Sequence, residues 1–240
     1  MSGHSKWSKV KHKKSIEDAK KGKIFSKLSK IISLASREGG GNPETNSDLK
    51  VAINKGKSFN MPQDNIEKAI KKGIGGMGDA KLESLLLEAF GPGGISILIK
   101  AVTDNKNRSL SEIRKIIESF GGKMASGSVL WQFEKKGIIF LKIEESKKDD
   151  LELLAIEAGA EDIKEKDGYL EINMLPEKLE DVKNSLPREV EIEESSIDLV
   201  PKEEIGIEDK TTKEKIERLF ESLDENDDVQ EIYSNIKEPD

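Results

Sequence analysis

The chain has 240 residues, 35% of them apolar and 36% charged, with a formal net charge of −7. That length suits about one to three domains with modest cores, and the most apolar stretches, Ile95 to Ile99 and Gly137 to Ile143, fall far short of the roughly 20 residues a membrane-spanning helix needs. With no cysteine, and with His4 and His12 as the only histidines, disulfides, thiolate zinc sites, cysteine nucleophiles and Ser-His-Asp triads are excluded from the rest of the chain.

The charge is unevenly placed. The first thirty residues hold ten lysines against Glu17 and Asp18. Up to Gly75 the net is +10, so an overall −7 leaves −17 for the remainder. Solubility needs net charge but not its separation into blocks, so a polyanionic partner is expected, most naturally nucleic acid.

In chain order, residues 1–16 show no apolar periodicity and read as a flexible basic arm. Its charges have no apolar segment behind them, so it does not read as a secretory signal. Lysines there neutralise phosphates, and an indole stacks on an exposed base for roughly 1 to 3 kcal/mol. The candidate nucleic-acid contacts are therefore His4, Lys6, Trp7, Lys9, Lys11, His12, Lys13 and Lys14 in the arm, with Lys20, Lys21, Lys23, Lys27 and Arg37 on the helix that follows. A lysine-rich tail with no specific partner is the plainer alternative. A metal held by His4 and His12 lacks further ligands nearby.

Residues 17–75 predict a three-helix bundle. Ile24, Phe25, Leu28, Ile31, Ile32 and Ala35 share one face of a first helix that Gly39-Gly40-Gly41 stops. Leu49, Ala52, Ile53 and Gly56 mark a second, capped by Asn46 or Ser47. A third begins at Pro62 and buries Ile66, Ala69 and Ile70. Gly56-Lys57-Ser58 only superficially resembles a phosphate loop, because it ends a helix where that motif begins one. Gly39 to Gly41, beside Arg37 and Lys50, could approach phosphate, but a helix stop and turn is the simpler reading. Gly73 to Gly78 reads as a linker.

The period then becomes strand-like. Leu82 to Ala89 and Ile95 to Val102 flank Gly91-Pro92-Gly93-Gly94 as a hairpin. Ser109 with Glu112 forms a capping box for a helix faced by Leu110, Ile113, Ile116, Ile117 and Phe120, and Ser128 to Phe133 reads as a strand carrying Trp131. From Gly137 the order is strand, helix, strand, strand, helix, strand, a ferredoxin-like βαββαβ unit ending near residue 200. The acidic stretch Glu191 to Glu194, with Glu203, Glu204, Glu208 and Asp209, reads as a solvated face, with repulsion of RNA or contact with a basic protein as alternatives. A helix starting at Thr211, boxed by Glu214 and faced by Ile216, Leu219, Phe220 and Leu223, and a strand near Val229 to Ile236 cannot bury themselves. They are expected to return to residues 79–134.

The fold expected is thus multidomain, α and α+β: an N-terminal three-helix bundle plus two ferredoxin-like α/β domains, the third inserted into the second. The boundaries are 1–16 for the arm, 17–75 for the bundle, 79–134 plus 206–238 for a discontinuous domain and 135–205 for the insert.

Gly3-His-Ser-Lys-Trp7, Lys11-His12-Lys13, Gly22-Lys-Ile-Phe25, Asn60-Met-Pro62 and Asp64-Asn-Ile-Glu67 closely resemble the YebC/PmpR family. So do Gly91-Pro-Gly-Gly94, Thr103-Asp-Asn105 with Asn107-Arg108, Ser126-Gly-Ser-Val129 and Asp227-Asp-Val-Gln230. The resemblance spans essentially the whole chain. It implies three domains with a discontinuous middle one, and either a probable transcriptional regulator that binds DNA or, as for a mitochondrial relative that activates translation, a ribosome-associated factor that relieves difficult peptide synthesis. His4, Lys6, Trp7, Lys11, His12 and Lys13 match the family's opening motif. The chain departs from the pattern at Phe90, where tyrosine is expected, and is a residue short around Lys123 to Ala125.

The expectation is a cytoplasmic, non-enzymatic regulator of gene expression. It binds nucleic acid, either DNA or ribosomal RNA, with the ribosome or transcription machinery as further partners. No cofactor, metal, membrane or small-molecule substrate is expected. Carboxylate catalysis in an interdomain cleft is the rival class.

Overall fold

A computed structural model describes residues 18–75, 82–143, 148–166, 168–187 and 189–237. Three helices come first, α1 (Asp18–Gly39), α2 (Ser47–Ser58) and α3 (Gln63–Ile74). The expected apolar faces meet: Leu28, Ile32, Ala35, Leu49, Ala52, Ile53, Met61, Ile66 and Ala69 form one core. Gly40, at φ 84°, ends α1 where a side chain would be strained. Asn46 caps α2 by accepting from Leu49 N and also donates to the carbonyls of Ala35 and Gly40, tying the turn to α1. Pro62 is the residue before α3 rather than its first turn.

Two four-stranded sheets follow. The first comprises β1 (Glu83–Phe90), β2 (Ser96–Thr103), β3 (Lys123–Ala125) and β8 (Val229–Ser234), in the order β3-β1-β2-β8. Helices α4 (Lys106–Ser119) and α7 (Lys210–Glu225) cover one face, burying Ile97, Ile99, Ile113, Ile117, Ile216, Leu219, Phe220 and Leu223 together. The second sheet comprises β4 (Phe133–Lys142), β5 (Ala160–Lys166), β6 (Tyr169–Met174) and β7 (Ile192–Pro201), in the order β5-β6-β4-β7 with every neighbour antiparallel. Helices α5 (Lys148–Ala158) and α6 (Leu179–Ser185) pack on it through Leu151, Ala155, Leu179 and Val182.

That order in the second sheet is the one a split βαβ path produces. The first sheet follows a different path: β1 and β2 are joined directly as a hairpin and form its two central strands. The ferredoxin-like chain path expected for both sheets thus describes only the second. The hairpin turn needs its glycines, with Gly93 at φ 70° and Gly94 at φ 78°.

Three local expectations are corrected. Ser128 to Phe133 is not a strand: Leu130–Gln132 is a 3-10 turn, and β4 starts only at Phe133. Asn105, not Ser109, caps α4, because its side chain accepts from Arg108 N. Asp209, not Thr211, caps α7 by accepting from Thr212 N. The short strand β3 carried no readable period.

Candidate nucleic-acid interface

The arm residues His4, Lys6, Trp7, Lys9, Lys11, His12, Lys13 and Lys14 lie outside the described residues, as does the side chain of Lys20. Lys21, Lys23 and Arg37 stand exposed on α1. Lys27 does not. Its ammonium meets the carboxylate of Asp224 at 3.2 Å and that residue's carbonyl, at the end of α7, and only 12% of its side chain is accessible. Burial lowers its pKa, and the Asp224 charge only partly offsets this.

Two further lysines are drawn inward. Lys30 donates to Asp228 Oδ1 at 2.6 Å and to the Asp227 carbonyl at 2.9 Å. Lys55 of α2 meets Glu231 of β8 at 2.7 Å and feels the charges of Glu194 and Asp198 on β7. Burial disfavours its charge, but Glu231 outweighs this and its pKa rises. Glu231 also accepts from the Tyr233 hydroxyl at 2.6 Å. Burial and the nearby carboxylates push that phenol's pKa up.

Asp228 is the only charged residue buried among the described residues. Its Oδ2 accepts from Ser109 Oγ at 2.6 Å, Arg108 Nη2 at 3.0 Å and Thr103 Oγ1 at 3.2 Å. Burial raises the carboxyl's pKa, but the hydrogen bonds from Lys30, Ser109 and Arg108 overcome that and hold it at about 2. Residues 103–109 and 227–228, far apart in sequence, thus meet at one ion cluster that also receives the bundle.

Other cations of the bundle stay at its surface. Ser33 Oγ donates to the Ala69 carbonyl, Gly73 abuts Ser33 and Ser36, and Gly41 abuts Ile70 and Ile74. The C-terminal ends of α1 and α3 therefore lie together. Arg37, Lys68, Lys71 and Lys72 are all exposed there. Arg37, Lys68 and Lys71 form no ion pair with another described residue. Lys68, Lys71 and Lys72 were not among the expected contacts, yet their i, i+3, i+4 spacing opposite Ile66, Ala69 and Ile70 places them on one helix face. No group of acidic or histidine residues among those described could hold a metal ion, and no described helix is long and apolar enough to cross a membrane.

Two family models match the chain: the TACO1/YebC N-terminal domain over residues 5–76 and the TACO1/YebC second and third domain over residues 82–236. A probable transcriptional regulatory protein of Halothermothrix orenii is 45% identical, covering 100% of this chain and 96% of its own length. Another, from Caldanaerobacter subterraneus, is 47% identical over 99% of this chain and 98% of its own. The crystal structure of a conserved hypothetical protein from Aquifex aeolicus superposes with a TM-score of 0.82 at 41% identity, covering 93% of each chain. With matches on both sides of residue 80 and near-complete coverage, the chain belongs to the TACO1/YebC family.

Proposed function

We propose that this chain is a non-enzymatic regulator of gene expression that grips nucleic acid, in the first instance DNA, through its basic N-terminal arm and bundle. Its acidic α/β part, divided near residues 134 and 205 into a discontinuous middle unit and an inserted one, holds that grip in place. The supporting observation is the division among the bundle cations. Lys27, Lys30 and Lys55 are neutralised by carboxylates of the body, whereas Arg37, Lys68 and Lys71 stay at the surface of one bundle end, next to Lys72. The regulatory names of the relatives point the same way. Structured RNA, as on a ribosome, is the second reading. It is favoured because the exposed cations are lysines apart from Arg37, and lysine grips phosphate without the bidentate base contact that reads sequence.

Fluorescence anisotropy of a labelled DNA duplex and a labelled RNA hairpin, across a salt series, tests both. With about five phosphates neutralised, log K falls by roughly 3.5 to 4.5 per decade of salt. The triple change Lys68→Ala, Lys71→Ala, Lys72→Ala flattens that slope by roughly 2 to 3. Salt-independent binding, or a slope unmoved by the triple change and by loss of the arm lysines, overturns the proposal. The preferred substrate decides between DNA and RNA.

A further inference from the structure

Trp131 is the most exposed of the large apolar side chains described, at 67%. Its indole N–H already donates to the Ser128 carbonyl at 3.0 Å, so what it offers to solvent is the ring itself. The mount is rigid. The Glu88 carboxylate accepts from the backbone N–H groups of Gly127, Ser128, Val129 and Leu130 at distances from 2.6 to 3.3 Å. Val129 and Phe133, two residues before and after Trp131 in the chain, are buried with Leu98 and Tyr233.

The neighbourhood is aromatic and cationic. Leu85, Leu87 and Ala89 point into the helix-covered core, so alternation along β1 puts Leu86, Glu88 and Phe90 on the opposite face, beside the Trp131 loop. Lys123 pairs with Phe90 across β1 and β3, and its ammonium lies 5.6 Å from the ring centre. Phe90 and Lys123 line a shallow groove with Gly94 and Gly121, where no atom stands within 4 Å of a Cβ position. Glu88, the carboxylate in the middle of the row, is committed to four amides, so it does not repel phosphate as a free carboxylate would.

An exposed indole and a half-buried phenyl ring interleaved with a lysine over open glycine backbone are the chemistry that takes unpaired nucleotides, whose bases stack and whose phosphates meet the ammonium. A duplex keeps its base faces inside and cannot use such a surface. We propose that this face of the first sheet is a second nucleic-acid site, specific for a short single-stranded stretch, with one base on Trp131, another beside Phe90 and a phosphate on Lys123. The inference rests on the nucleic-acid reading above and adds to it a contact separate from the bundle lysines.

Trp7→Phe in the full chain leaves Trp131 as the sole tryptophan, and its emission is followed during titration with oligouridylate, oligothymidylate and a blunt DNA duplex. Quenching by a single strand and none by the duplex is expected. In the otherwise native chain, Trp131→Ala weakens single-strand binding roughly 5- to 100-fold with duplex affinity unchanged, Trp131→Phe retains most of it, and Lys123→Gln loses a smaller part. Circular dichroism confirms that each variant is folded. Absence of quenching by either single strand, or equal weakening of duplex and single strand by Trp131→Ala, overturns the site. The triple lysine change on α3 separates the two proposals: if duplex binding ignores it while single strands still quench Trp131, the bundle reading fails and this site stands. If duplex binding falls but Trp131 is never quenched, the reverse holds.

Discussion

The two sheets are of equal size but are assembled differently. The second is built from one stretch of chain, Phe133 to Pro201, and is held by an apolar core in which Ile139, Leu141, Leu170, Ile172 and Met174 are essentially sealed. Its ion pairs, such as Lys136–Glu161 and Lys164–Glu204, have partly exposed partners, a setting in which such pairs contribute little. The first sheet takes its last strand from the far end of the chain: Ser96 N donates to Asn235 Oδ1 across 139 residues of sequence. Closing so long a loop costs only slightly more entropy than closing a short one, but the returning strand must find one register on β2. The Asp228 cluster supplies that specificity at the start of β8, and the same carboxylate receives Lys30 of the bundle. A hydrophobic seam holds the contiguous sheet. The discontinuous one adds a buried charge with several donors.

The sharpest way to break this contrast is Asp228→Ala, which leaves Lys30 and Arg108 without their buried partner. Removing one partner of a buried ion cluster costs roughly 3 to 5 kcal/mol. In urea, with emission read in a Trp7→Phe background, the transition of Trp131 shifts to lower denaturant. Protease cleavage between β7 and α7 rises. If Trp131 unfolds at an unchanged midpoint, the cluster is not what holds β8. The converse change, Ile172→Ala, opens a cavity in the sealed second core at a cost of roughly 2 to 5 kcal/mol. It is expected to bring forward the ellipticity loss of the second sheet, while Trp131 reports little change. Identical shifts of both probes in both variants would mean that the two sheets unfold as one unit.

Acid gives a reversible version of the first experiment. Asp228 is held at about 2 against an ordinary 3.8. A folded-state pKa below the unfolded one contributes stability that is complete above about pH 4 and is lost as pH falls toward 2. The amount is on the order of 2 kcal/mol. The Trp131 transition should therefore weaken across that window, and Asp228→Asn should abolish most of the dependence. A wild-type acid profile in the Asn variant would place the titrating group elsewhere.

Apolar spacing made most of the elements readable, because α1, α2, α3 and α7 bury nearly the same residues that their helical period selects. Where the reading failed, a polar side chain had taken over the backbone. Val129, Trp131 and Phe133 look like one face of a strand, yet Trp131 is exposed between two buried neighbours. The first three amides of the Ser128 to Phe133 stretch, with the amide of Gly127 before it, are bound by Glu88 instead. Ser109 fits a cap pattern, but its hydroxyl is directed to Thr103 and Asp228. The candidate interface was legible as a basic region and not lysine by lysine. Lys27 and Lys30 are paired across 197 and 198 residues, and no local pattern predicts such partners. Lys68, Lys71 and Lys72 could have been found from helix spacing alone.

The smallest effect probes the helices that cover the two sheets. In the first sheet, α4 and α7 each start on a side chain that accepts a backbone N–H, Asn105 for Arg108 and Asp209 for Thr212. In the second, α6 starts without a side-chain cap and depends on Leu179 and Val182 docking into the core. Asn105→Ala should therefore cost about 1 kcal/mol, read as a slight early shift of the Trp131 transition. Asn105 also sits between Thr103 and Arg108, two donors to Asp228, and its own N–H donates to Thr103 Oγ1 at 2.9 Å. That backbone bond survives the substitution, so a loss confined to about 1 kcal/mol isolates the cap. A loss as large as that of Asp228→Ala would instead make the Asn105 side chain part of the ion cluster, with the cap and the buried charge acting as a single unit.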